Sequence, residues 1–112
     1  MDARVLDADL AAGRRLMARL EAFADFTDEP RRLTRLFLSE AHRRAAQAFI
    51  GWCTEAGLEA KIDAAGNVVA RYEGKRAGAP ALMLGSHIDT VRDAGLYDGN
   101  YGALAALPSL RA

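Results

Sequence analysis

Apolar residues recur at spacings near three and four from the start of the chain: Leu6, Leu10, Leu16, Met17, Leu20 and Phe23, with arginines and acids between them. That period predicts an amphipathic helix over about Asp7 to Ala24, whose apolar stripe requires a partner. Beyond Asp25 the period is lost. Thr27, Asp28, Glu29 and Pro30 read as loop, and the run around Leu33 to Leu38 as one short strand. Ser39 can then accept from the free N–H groups of a first helical turn. Ala41, Ala45, Ala48, Phe49, Trp52 and Ala56 share one face after it, and Gly57 allows a left-handed stop. A second helix is predicted between them.

The period next changes to two. Leu58, Ala60 and Ile62 alternate with Glu59, Lys61 and Asp63, Ala64 to Asn67 form a turn containing Gly66, and Val68 to Glu73 resume strand character. These are expected to be neighbouring antiparallel strands. After the polar connection Gly74 to Pro80, the uninterrupted run Ala81-Leu82-Met83-Leu84 predicts a strand covered on both faces, delivering Gly85-Ser86-His87-Ile88-Asp89 at its end. The fold class expected is α/β, with two helices followed by a small sheet and a loop of candidate chemistry, in one domain over residues 1–112. Pro108 is expected to break the last helical run and leave Leu104 and Leu107 without a complete partner.

Fifteen Lys and Arg balance fifteen Asp and Glu. That balance argues against nucleic acid or an anionic membrane surface as the partner, and reads Arg31, Arg32 and Arg35, then Arg43 and Arg44, as solvated faces. No stretch approaches the roughly 18 apolar residues of a bilayer span. The lone Cys53 and the acidic start MDARVLDADL place the chain in the cytoplasm, with Cys53 a small buried hydrophobe. His42, beside Arg43 and Arg44, reads as a surface histidine, and Trp52 and Tyr97 as packing residues.

The segment GSHIDTVRDAGLYDGNYG holds four of the ten glycines, one of the two histidines and three aspartates. In an extended segment His87 and Asp89, two apart, share a face, so the carboxylate can hold one ring nitrogen while the other meets a metal. Asp98, eleven positions after His87, follows a loop in which Gly95 and Gly99 permit unusual backbone angles. It can therefore aim a carboxylate at the same metal. Ordinary turn chemistry accounts for the same spacing. The Gly99-Asn100-Tyr101-Gly102 opening of a helical run can also cradle an anion, although a glycine pair at a helix start is a weak signal.

GSHIDTVRDAGLYDGNYGALAAL resembles the metal-binding signature of the M20 family of binuclear metallohydrolases, whose catalytic domain is zinc-exopeptidase-like. The short interval from His87 to Asp98 resembles the allantoate amidohydrolase and N-carbamoyl-L-amino-acid hydrolase branch. LTRLFLSEAHRRAA, WCTEAGLEAKIDAAGNVVARYEG and APALMLGSHIDT resemble it too. The resemblance implies His87 as a terminal metal ligand, Asp98 as the carboxylate bridging two divalent metals, zinc or manganese, and Asp89 as the catalytic-site residue orienting His87. It implies hydrolysis of a C–N bond in a small ureido substrate, with a glutamate moving the proton, and a homodimer for complete family members. Substrate-binding residues are not identified.

The family's glutamate base, its remaining ligands and its dimerisation domain resemble sequence outside these 112 residues. The chain is thus expected to be an N-terminal fragment without measurable hydrolysis of its own. The alternative is a non-catalytic remnant that acts at most as a weak metal-binding or interaction module, distinguished by its ligand count.

Overall fold

Helix α1, Ala3–Ala24, begins where the Asp2 carboxylate accepts from the Arg4 N–H at 2.9 Å, four residues earlier than periodicity predicts. The computed structural model describes residues 1–110. Only the later part of the α1 stripe is covered. Leu20 and Phe23 are buried, whereas Leu6 and Leu10 are about half exposed.

Helix α2, Glu40–Glu55, starts as expected at Ser39, whose Oγ accepts from the His42 N–H at 3.2 Å. The Asp28 carboxylate caps the same end by accepting from Ala41 N–H at 3.2 Å. Gly57 closes the helix at φ +86°, in the left-handed region where glycine carries no Cβ penalty. Strands β1, Glu59–Ile62, and β2, Val68–Arg71, pair antiparallel with Glu59 opposite Arg71 and Ile62 opposite Val68. Their turn is held by Asp63, whose Oδ1 accepts from Ala65 and Asn67 N–H at 2.9 Å each.

A third helix, α3, spans Asn100–Ser109 and runs through Pro108 rather than breaking there. So close to the end of the helix, the donor that the proline forfeits and the crowding of its ring on the carbonyl four residues back do not stop the last turn from forming. The Leu110 N–H still donates to Ala106 O at 3.2 Å. Leu104 and Leu107, expected to lack cover, are buried.

Two small apolar clusters join these elements. Leu20, Phe23, Ala45 and Leu104 form the first; Cys53, Ala56, Leu58 and Leu107 form the second; Phe49 and Trp52 pack against both. Phe23 is the hub of the aromatic contacts, with ring centroids 5.5 Å from Trp52, 6.0 Å from Phe26 and 6.5 Å from Phe49. Cys53 is buried as expected, and burial pushes its thiol pKa up.

Two expected strands are corrected. Residues 81–84 are irregular and exposed, with Leu82 and Met83 more than four-fifths accessible, because no described strand lies beside them to satisfy their backbone. Leu33 to Leu38 makes no strand either. Its ladder shrinks to one antiparallel bridge between Leu33 and Ala94, and at the other end of the run Leu38 leaves the β region at φ +61°.

Candidate functional site

Residues 85–99 carry no regular structure, so side-chain and single backbone bonds hold them. Ala94 N–H donates to Leu33 O at 2.8 Å, Asp93 N–H to Thr34 Oγ1 at 2.9 Å, and Thr90 N–H to Arg35 O at 2.7 Å. Arg35 N–H returns to Thr90 Oγ1 at 2.8 Å. The 33–35 segment thus lies antiparallel along 90–94 and fixes the path of the chain leaving His87.

Arg35, read from sequence as solvated, is fully buried. Its guanidinium donates at 2.8 Å to each of four acceptors: Ile88 O, Phe23 O, Phe26 O and the Asn100 Oδ1. It also lies over the Phe23 ring, 4.4 Å from the centroid. Burial lowers its pKa to about 10, against the opposing pull of Asp28 and Asp89. Arg35, Thr90 and the buried Asn100 were missed by the sequence reading. The available signal was an arginine inside the apolar run Leu33 to Leu38, where a solvated face would carry more polar neighbours.

The three residues picked out from sequence do come together. His87 Nδ1 lies 2.9 Å from the Asp89 main-chain oxygen and 3.5 Å from Asp89 Oδ1, while Nε2 lies 3.5 Å from Asp98 Oδ1. The nearer restraint is the Asp89 carbonyl rather than the carboxylate expected. With the proton on Nδ1 and bonded to that carbonyl, Nε2 presents a lone pair toward a carboxylate. Two acceptors facing each other can share a cation between them. Histidine and carboxylate ligands about 2.0–2.2 Å from one zinc at a tetrahedral angle lie roughly 3.4 Å apart, so the pair fits a shared metal. All three side chains are partly open to solvent. Among the described residues no group of three or more His, Cys, Asp or Glu is arranged to hold a metal.

Gly99 makes the approach possible. A Cβ there would sit 2.5 Å from His87 Nδ1 and also against its Cε1, and the residue adopts φ +71°. Next to it, Ser86 Oγ donates to Gly99 O at 2.8 Å. With the His87 ring against the Gly99 α-carbon, the glycine pair at the start of α3 packs on the 86–87 segment instead of forming an open anion cradle.

His42, expected at the surface, is buried beside Phe37. Its Nδ1 accepts from Leu38 N–H at 2.8 Å. Burial lowers its pKa; Asp89 and Asp28 oppose the shift and Arg35 adds to it. Tyr97, expected to pack, is about half exposed.

No family model matches the chain. It is 43% identical over 96 residues to an allantoate deiminase 2 from Glycine max, covering 86% of this chain and 20% of that protein. It is 34% identical over 101 residues to an N-carbamoyl-L-amino-acid amidohydrolase from Paenarthrobacter aurescens, covering 90% and 24%. The crystal structure of a hydantoinase/carbamoylase family amidase from Burkholderia ambifaria superposes with a TM-score of 0.81 at 40% identity, over 88% of this chain and 25% of that one. The chain therefore spans a fifth to a quarter of the length of these relatives. Among the described residues no helix is long and apolar enough to cross a membrane.

Proposed function

From the premise that the homologues of this chain are allantoate deiminases and N-carbamoyl-L-amino-acid amidohydrolases, we propose that residues 85–100 form part of a binuclear metal site for hydrolysing a ureido C–N bond. The observation that carries this reading is the 3.5 Å approach of His87 Nε2 to Asp98 Oδ1, with the other ring nitrogen already engaged by Asp89. His87 would be a terminal ligand through Nε2. Asp98 would offer its two oxygens to two ions. Asp89 orients the ring by accepting a hydrogen bond from Nδ1–H at its main-chain oxygen, which leaves Nε2 free to bind. Two divalent ions, zinc or manganese, would supply Lewis-acid polarisation of the ureido carbonyl and acidify an attacking water. The substrate class is a small allantoate-like or N-carbamoyl amino acid.

Two donors alone favour weak metal binding by these 112 residues, because a catalytic zinc usually takes three protein ligands. Cobalt(II) titration followed by NMR tests the ligands. The His87 ring and the Asp98 signals are expected to shift or broaden first, and His87→Ala and Asp98→Ala to abolish the effect. A wild-type chain whose His87 and Asp98 signals ignore cobalt would refute the assignment. The substrate class is tested by exchanging this chain for the corresponding first fifth of a homologous amidohydrolase and assaying allantoate and N-carbamoyl amino acids. Turnover lost in His87→Ala is expected; a folded, metal-loaded chimera inert to every ureido compound would refute it.

A further inference from the structure

Two of the four bonds of one buried side chain reach the segments that carry the two proposed ligands, and the other two tie it to the end of α1. The Arg35 guanidinium holds Ile88 O, in the residue between His87 and Asp89, and Asn100 Oδ1, two residues beyond Asp98. Its other arm is fixed to Phe23 O and Phe26 O at the end of α1. Asn100 is itself buried, and its Nδ2 donates to Leu96 O at 3.3 Å, inside the loop that leads to Asp98. The segments bearing His87 and Asp98 touch each other mainly through Ser86 Oγ to Gly99 O and through the His87 ring against Gly99. Neither segment lies in a sheet or helix that would otherwise set their separation.

We propose that Arg35 is the positioning residue of the site, setting the distance between His87 and Asp98 by clamping Ile88 and Asn100 to the end of α1. This rests on the reading of His87 and Asp98 as ligands. The chemistry requires arginine. A planar fork with five N–H donors can serve four fixed acceptors at once, whereas the lysine ammonium has three donors on a single point charge. An acceptor left without its donor in this buried region carries an uncompensated desolvation cost, which favours movement of its segment toward water.

A metal-free measurement separates this inference from the ligand assignment. In the wild-type chain the His87 Hε1 proton should show a nuclear Overhauser contact to the Gly99 α-protons, because the ring packs against that position. Arg35→Lys should lose that contact while keeping the Phe23–Leu104 contacts of the core. It should also weaken cobalt binding by about tenfold, the lower end of the loss seen when outer partners of metal ligands are removed. Asn100→Ala, which removes the Arg35 tie to α3 together with the bond to Leu96 O and leaves the Ile88 tie in place, is the second variant should Arg35→Lys fail to fold. It is expected to lose the same contact, and to weaken cobalt binding in the wild-type background but not on top of Asp98→Ala. A His87–Gly99 contact that survives both variants, or survives Asn100→Ala when Arg35→Lys does not fold, overturns the proposal. Cobalt indifference with the contact present in wild type and lost in the variants overturns the ligand assignment and leaves the positioning intact.

Discussion

Gly99 stands at the centre of a three-residue turn in which Asn100 N–H donates to Asp98 O at 2.8 Å, with φ +71° and ψ −49°. That is γ-turn geometry, strained for any residue with a Cβ. Gly99→Ala is therefore expected to destabilise the chain by about 1–3 kcal/mol from backbone strain, and to displace the His87 ring besides. Urea unfolding and the His87 NMR signals check both. His42 supplies a second test. Its folded pKa lies below the ordinary value of 6.5, so the unfolded chain takes the proton first as pH falls. Its contribution to stability is complete above about pH 6.5 and declines below it. Protonation would also put an N–H where Nδ1 now accepts from Leu38. The urea midpoint should fall from pH 7 to 5 in wild type and stay flatter in His42→Asn, whose Oδ1 can replace the lost acceptor. Residue types pointed to the candidate site but not to its support. His87, Asp89 and Asp98 stood out because few other residues ligate metals. Arg35 and His42 read as surface residues because charge usually means exposure; the acceptors that bury Arg35 lie up to 65 positions away, whereas His42 is held by Leu38, four residues before it.

At the scale of elements, the local signals were the readable ones. The Ser39 cap, the Gly57 stop and the Ala64–Asn67 turn each act within a few residues, and each appears where the sequence predicts it. The run Ala81 to Leu84 failed as a strand because its apolar character reports a need for neighbours, and neighbours are not a local property. Helix α1 shows the same division within one element. Its period is regular throughout, yet Val5, Leu6 and Leu10 are about half exposed while Leu20 and Phe23 are buried. Hydrogen exchange should consequently be fast through the first two to three turns of α1 and slow around Leu20 to Ala24. Uniform protection along the helix would mean that its first half is covered in solution.

As a whole molecule the chain is a plate of 42 × 38 × 19 Å with a radius of gyration of 15.2 Å, against about 13 Å expected of a domain this long. It exposes 7930 Å², roughly a third more than the ~6,000 Å² of a typical folded monomer of its mass. Part of that excess is Leu82 and Met83. Size-exclusion chromatography with light scattering should show concentration-dependent association, reduced by Leu82→Glu and Met83→Lys; a strict monomer at high concentration would contradict it. The antiparallel run of 33–35 along 90–94 has a consequence for time rather than for energy. Its bonds close chain loops of more than fifty residues, Arg35 to Thr90 and to Asn100, whereas α1, α2 and the β1–β2 turn need only near neighbours. Closing long loops is slow relative to helix and hairpin formation. On refolding, the far-ultraviolet helical signal should return first and the His87 environment last, so that the site is the final part of the chain to acquire its shape and the first to lose it.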